Sequence, residues 1–225
     1  MMTNLFSIFD PATSNSLSLN WTSMLMIMVM MYPMYWVIPN NLNMFLMKTM
    51  NILHKEIKMT LGKSSPLGTS IFMITLFMFI ITNNSLGMLP YIFTASSHMS
   101  MTLAMALPLW ISLMVFGWFN KTIDMLAHLV PQGTPTPLMM FMVLIETISN
   151  LIRPLTLAVR LTANMIAGHL LMTLVGSQAA VSTSISLMGV MNAFILLTVL
   201  EVAVTIIQAY VFVILMTLYM SEVHH

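Results

Sequence analysis

The sequence predicts an all-α polytopic membrane protein with three transmembrane helices, one amphipathic interfacial helix, and a hairpin of two long, steeply tilted membrane helices. Three observations carry this expectation. First, the chain is 59% hydrophobic and 6% charged, whereas soluble domains carry about 25% charged residues. Second, several apolar runs reach the roughly 20 residues that span a bilayer. Third, two apolar runs near the end of the chain are far longer than one perpendicular crossing needs.

The first run, 19–38, reads as span 1, and Pro33 is expected to kink it. Membrane helices tolerate such a residue better than soluble ones. Pro39-Asn40-Asn41 ends it. Residues 41–61 differ in kind: Leu42, Leu46, Leu53, Ile57 and Leu61 share one face of a helical wheel, while Lys48, Asn51, Lys55 and Lys58 gather on the other. That is the pattern of a helix lying in the membrane interface. Gly62-Lys-Ser-Ser-Pro66 breaks the chain. Span 2 covers 68–88; Asn83, Asn84 and Ser85 are costly in lipid, so they belong near the interface or against protein. Span 3 covers 99–119.

Basic residues set the orientation. The segment 40–65 holds Lys48, Lys55, Lys58 and Lys63, and 120–137 holds Lys121, Asp124 and His128. The loop 89–100 has no formally charged residue, and the N-terminal tail has only Asp10. By the positive-inside rule, 40–65 and 120–137 face the side of synthesis, and 1–18 and 89–100 face the other. Three spans alternate correctly between these assignments.

Val130-Pro-Gln-Gly-Thr-Pro-Thr-Pro137 is a cluster of helix breakers. The two long runs follow, at 137–175 and 186–219. As single helices they are about 58 and 51 Å long, against a hydrocarbon core of roughly 30 Å. Pro154 is a candidate break in the first, but the apolar pattern continues through it. A connector of small and polar residues, 176–186, joins the two, and a tilted antiparallel hairpin is expected. The whole chain, 1–225, reads as one membrane domain without internal repeats.

Composition excludes several function classes. A net charge of +1 does not suggest nucleic acid as a partner. With no cysteine, thiolate metal sites, disulfides and cysteine nucleophiles are ruled out. Six histidines without tight spacing suggest no metal site; His98, His224 and His225 are expected to face solvent. Phosphate-loop and nucleophile-elbow motifs are missing, and no cofactor is expected. The start, Met1 to Asp10, has the marks of neither a signal peptide nor an Arg-rich transit peptide, so an organellar protein of this kind is expected to be made inside the organelle. The 29 methionines either fill apolar gaps adaptably or reflect a small AT-rich genome in which an extra codon reads as Met.

The charges inside apolar sequence carry the chemistry. Arg160 lies in Leu155-Thr-Leu-Ala-Val-Arg-Leu-Thr-Ala-Asn164. Arginine stays protonated in any accessible environment, and an ionisable residue within a membrane segment marks a functional site by default. Glu146, Arg153 and Arg160 are spaced by seven. Seven residues turn a helix by about 700°, so each is displaced only about 20° from the last. Asn150 and Asn164 fall near the same stripe. His169 points to the opposite side. On the second long helix Glu201 and Gln208 are nearly aligned, and Glu222 ends it. With a turn near residue 184, Arg160 meets Gln208, His169 lies across from the turn holding Glu201, and Glu146 lies near Glu222. Glu201, a carboxyl in apolar surroundings, suits a group that takes up and releases protons. Blander readings stand beside these: Arg160 as a structural ion-pair partner, Glu146 with Arg153 as a packing contact, and His169 as a satisfied interior histidine.

Leu157-Ala-Val-Arg-Leu-Thr-Ala-Asn-Met-Ile-Ala-Gly-His-Leu-Leu171 resembles the signature of subunit a of the F-type ATP synthase family. Pro131-Gln-Gly-Thr-Pro-Thr-Pro137, Ile145-Glu-Thr-Ile-Ser149 and Glu201-Val-Ala-Val-Thr-Ile-Ile-Gln-Ala-Tyr-Val-Phe212 resemble other stretches of it. Met1 to Pro11 and Leu89-Pro-Tyr-Ile-Phe93 are similar to insect or other arthropod versions. The likeness covers most of the chain and is weakest between 12 and 65.

The resemblance implies a stator subunit of the membrane sector, in the mitochondrial inner membrane, pressed against a rotating ring of c subunits and beside peripheral-stalk and other membrane-sector subunits. Two offset half-channels would lead protons to and from the ring's carboxylates. Arg160 would face those carboxylates, with Asn164 and Gln208 beside it. His169 and Glu201 would line the intermembrane-space half-channel, and Glu146 the matrix-side one. In bacterial relatives the groups at 169 and 201 are exchanged, as the resemblance implies. Arg153 departs from vertebrate versions, which carry an uncharged polar residue there; Arg153 and Glu222 are further candidates. The N-terminus would face the intermembrane space, and 40–65 and 120–137 the matrix. Two rival readings stand beside this one. One is a proton-translocating subunit of a respiratory complex, although such subunits favour lysine and glutamate on broken helices. The other is a purely structural assembly subunit.

Overall fold

A computed structural model describes residues 5–14, 17–25, 38–62, 68–89, 92–130 and 136–224. Span 1 beyond residue 25, with Pro33, lies outside the described residues, as do Lys63 in the 63–67 break, residues 131–135, and His225; so do the side chains of Asp124, His128 and His224.

Six α-helices follow in chain order among the described residues: α1 (Asn41–Leu61), α2 (Thr69–Gly87), α3 (Met99–Asn120), α4 (Thr122–His128), α5 (Met139–Val181) and α6 (Ser184–His224). Four of them, α2, α3, α5 and α6, are long and apolar enough to cross a membrane. Short 3-10 turns at Leu5–Phe9, Leu19–Leu25, Ala95–Ser97 and Thr136–Leu138 complete the described elements.

α1 starts where the Asn40 side chain accepts from the Asn41 amide at 2.8 Å, and ends at Gly62, whose positive φ of 72° suits a residue without Cβ. Its expected apolar stripe does pack: Ile57 and Leu61 are buried and Leu46 and Leu53 lie against the same core, with α2 and α6 as neighbours. Leu42, at the start of the stripe, stays 65% exposed. Lys48, Lys55 and Lys58 point outward.

In α2 the asparagines turn inward. Asn83 donates to the Phe79 carbonyl at 3.1 Å, and Asn84 is fully buried. The turn at Ala95–Ser97 packs beneath them against α5. His98, expected to face solvent, is instead half-buried, because residues 92–98 fold back onto the 19–25 turn. Its ring centroid lies 5.2 Å from Trp21 and 5.1 Å from Phe93. α3 continues through Pro108.

The long pair forms an antiparallel hairpin, and both arms extend beyond the apolar runs. α5 has 43 residues and α6 has 41, or about 65 and 62 Å at 1.5 Å per residue. Pro154 sits buried inside α5 without ending it. The expected connector 176–186 shrinks to Ser182 and Thr183. Small polar residues lower helix propensity by tenths of a kcal/mol and a lone Gly by about 1 kcal/mol, which does not stop a helix that has packing and length behind it. Ser182 Oγ donates to the Ala179 carbonyl at 3.0 Å, and the Leu187 amide to the Thr183 carbonyl at 2.8 Å, closing both ends.

The core joins Leu157, Ala158 and Leu161 of α5 to Ala209, Phe212 and Met216 of α6, with α1 and α2 packed across them. Ala158 and Ala209 have no exposed surface; small residues let membrane helices approach closely. Much of the remaining apolar surface faces outward, as on Leu196 (68% exposed) and Val199 (65%) of α6, the surface expected toward lipid or other apolar protein.

Candidate functional site

The hairpin fixes the site, because charges on α5 can meet charges on α6 only at the register that packing sets. His169 and Glu201 meet across it, Nε2 to Oε1 at 3.7 Å, with the carboxylate side chain 4% exposed. Among the described residues neither carboxylate oxygen of Glu201, nor Nε2 of His169, has a hydrogen-bond partner. Gly168 makes the room: a Cβ there would stand 2.8 Å from Glu201 Oε1. Phe9 stands nearly perpendicular to the imidazole, ring centroids 6.4 Å apart.

Beside this pair a cleft of about 240 Å³ opens between α5 and α6, lined by Asn164, Gly168, Glu201 and Gln208 among apolar neighbours. A water takes roughly 30 Å³ of liquid volume, so several fit. Gln208, placed opposite Arg160 by the sequence register, shares this cleft with Asn164, one turn further along α5. Arg160 does not line it.

Arg160 is exposed on the side of α5. It makes no hydrogen bond or ion pair to any described residue. A permanent cation at mid-helix, without a partner in its own described surroundings, requires an anion or water from elsewhere. His169 is about 14 Å further along the axis and Glu146 about 21 Å back, at 1.5 Å per residue.

The other charged cluster lies toward the start of α5. Arg153 Nη2 is 3.5 Å from Glu146 Oε1, and Arg153 Nη1 donates to Glu222 Oε2 at 2.8 Å. The guanidinium carbon sits 5.1 Å from the Tyr219 ring centroid. The register thus brings Glu146 near Glu222 as expected, with Arg153 between them. A cavity of about 490 Å³ adjoins the cluster, walled by Trp110 and Trp118 of α3 and reaching Asn150.

Sequence reasoning missed three participants. The role of Gly168 in seating Glu201 was signalled only by its place before His169. Tyr219 gave no signal apart from lying three residues before Glu222. Glu56 of α1, overlooked among the lysines, receives the Tyr210 hydroxyl at 3.4 Å and makes α1 less uniformly basic than its wheel suggested.

Comparison with known proteins gives the family. Residues 3–221 match the family described as ATP synthase A chain. ATP synthase subunit a of Drosophila yakuba is 54% identical over 224 residues, covering all of both chains. The subunits of Locusta migratoria and Anopheles gambiae are each 54% identical over 226 residues, again at full coverage. A subunit of this kind is a component of the ATP synthase complex, not an independent enzyme, and the respiratory-complex reading is set aside. The chain belongs to the ATP synthase A chain family.

Proposed function

We propose that this chain is the stator half of a proton path, conducting protons through two offset half-channels to and from carboxylates on a rotating c-ring. The observation that carries the reading is Arg160: a fixed cation, exposed at the middle of α5, with no described partner in its own chain. Its partner is then supplied by another subunit, and a ring carboxylate is the complement that charge and membrane depth demand.

The division of labour follows from chemistry. The guanidinium favours proton release from the carboxyl that passes it. It also separates the half-channels, because it neither takes nor gives a proton at accessible pH. On one side, His169 and Glu201 pass protons between the intermembrane space and the ring. Their buried atoms lack described partners and adjoin a cleft large enough for water, which suits a relay. On the other side, Glu146 drains protons toward the matrix beside the larger cavity. Asn164 and Gln208 are polar neighbours between Arg160 and the intake pair.

In this reading the protein is a multi-pass component of the mitochondrial inner membrane, with its N-terminus in the intermembrane space and 40–65 and 120–137 on the matrix side. α1 lies at the matrix-side interface, and peripheral-stalk and other membrane-sector subunits cover further surface.

The chain has no cysteine, so a single one can be placed cleanly. In the assembled complex Ala163→Cys, one turn from Arg160 on an exposed face, is expected to cross-link to a cysteine beside the ring carboxylate. Failure of every such pair along the ring helix, with the complex intact, would contradict the reading.

A further inference from the structure

Glu146 and Glu222 share one cation unequally. Arg153 gives its hydrogen bond to Glu222 at 2.8 Å and leaves Glu146 at 3.5 Å without one. Charge-assisted bonds of the first kind are short and strong, and the rigid fork of a guanidinium allows it to serve two carboxylates at once. Tyr219 supports its plane from below at 5.1 Å. The three charged side chains are partly exposed, at 30% for Arg153, 33% for Glu146 and 60% for Glu222, and all three, with Tyr219, border the cavity of about 490 Å³. Among the described residues, the lining that α3 and α4 contribute is Trp110, Leu113, Met114, Trp118 and Met125, none of them titratable.

We propose that Glu146, Arg153 and Glu222 act as one proton-holding unit, in which Glu222 is the positioning residue that draws Arg153 away from Glu146. This rests on the reading of Glu146 as the matrix-side carboxylate. With both carboxylates ionised the unit carries one net negative charge, and one proton neutralises it. A proton arriving from the ring meets a carboxylate that has an ion pair at 3.5 Å, but no hydrogen bond, from the shared guanidinium. It then leaves to water in the cavity and restores the anionic state. Without Glu222 the guanidinium would fall wholly to Glu146 and compete with the proton. Without Arg153 two like charges would share the site, and the proton would be held too well.

The test uses assembled ATP synthase in vesicles, with ATP synthesis driven by an imposed proton gradient while the matrix-side pH is varied. Glu222→Gln is expected to move the pH profile to lower pH, and Arg153→Gln to move it to higher pH, each by about one unit. The double variant, which restores the net charge on Glu146 alone, returns the profile toward the native one, and Glu222→Asp does the same. Slower turnover with an unmoved profile in the single variants, or movement in the same direction, would overturn the proposal. Should Glu222→Gln fail to assemble, Arg153→Gln against the double variant carries the same contrast. Glu146→Gln separates the underlying reading. If it conducts as the native enzyme does, Glu146 is not the matrix-side carboxylate and both readings fail. If it blocks conduction while the single-variant profiles stay put, only the proposal about Glu222 fails.

Discussion

Gly168 stands against Glu201, with no room for a methyl group between them: an added Cβ would lie 2.8 Å from the carboxylate oxygen that faces His169. The intake pair is therefore seated by a residue that carries no chemistry of its own. Gly168→Val forces Glu201 out of its position. ATP-driven proton pumping in vesicles is expected to fall on the order of tenfold to a hundredfold, the scale of an ångström-sized misplacement. Assembly stays normal, because the rest of the hairpin contact is untouched. Native pumping in this variant would show that the position of Glu201 is immaterial.

His169 and Glu201 face one another at 3.7 Å, so exchanging them keeps one imidazole and one carboxyl at the same place. The exchanged variant, His169→Glu with Glu201→His, is expected to conduct more than either single substitution alone. Single variants leave two carboxyls or two imidazoles together, a like-charged or poorly relaying pair. Conduction measured in the three variants decides the matter; an exchanged form no better than the singles would mean that each group needs its own surroundings.

Ala158 and Ala209 have no exposed surface where the long helices cross. Ala209→Leu overfills that contact and is expected to destabilise the chain by about 1–3 kcal/mol, read as a lower melting temperature of the detergent-solubilised complex.

Much of this was legible because the membrane restricts the choices. The wheel of 41–61, with Asn40 before it and Gly62 after it, marks the bounds of α1. The excess length of the last two apolar runs implies a hairpin, and seven-residue spacing puts Glu146 and Arg153 on one stripe. The turn was harder to read. Residues 176–181 are small and polar, yet helix continues through them, since nothing there removes a backbone donor or demands a positive φ. Pro154 does remove one, but α5 passes through it with its ring buried. Side-chain allegiance was not legible at all: Arg153 prefers Glu222, sixty-nine positions away, to Glu146 on its own helix. The fold of 92–98 onto the 19–25 turn, which half-buries His98, likewise depends on tertiary contact and not on local pattern.

The most direct measurement is proton flux through membranes carrying the assembled complex with Arg160→Ala. A divider that also releases protons from the ring predicts loss of ATP-coupled proton movement together with a passive proton leak between the two sides. Coupled movement retained at the native rate, with no leak, would contradict the role of Arg160.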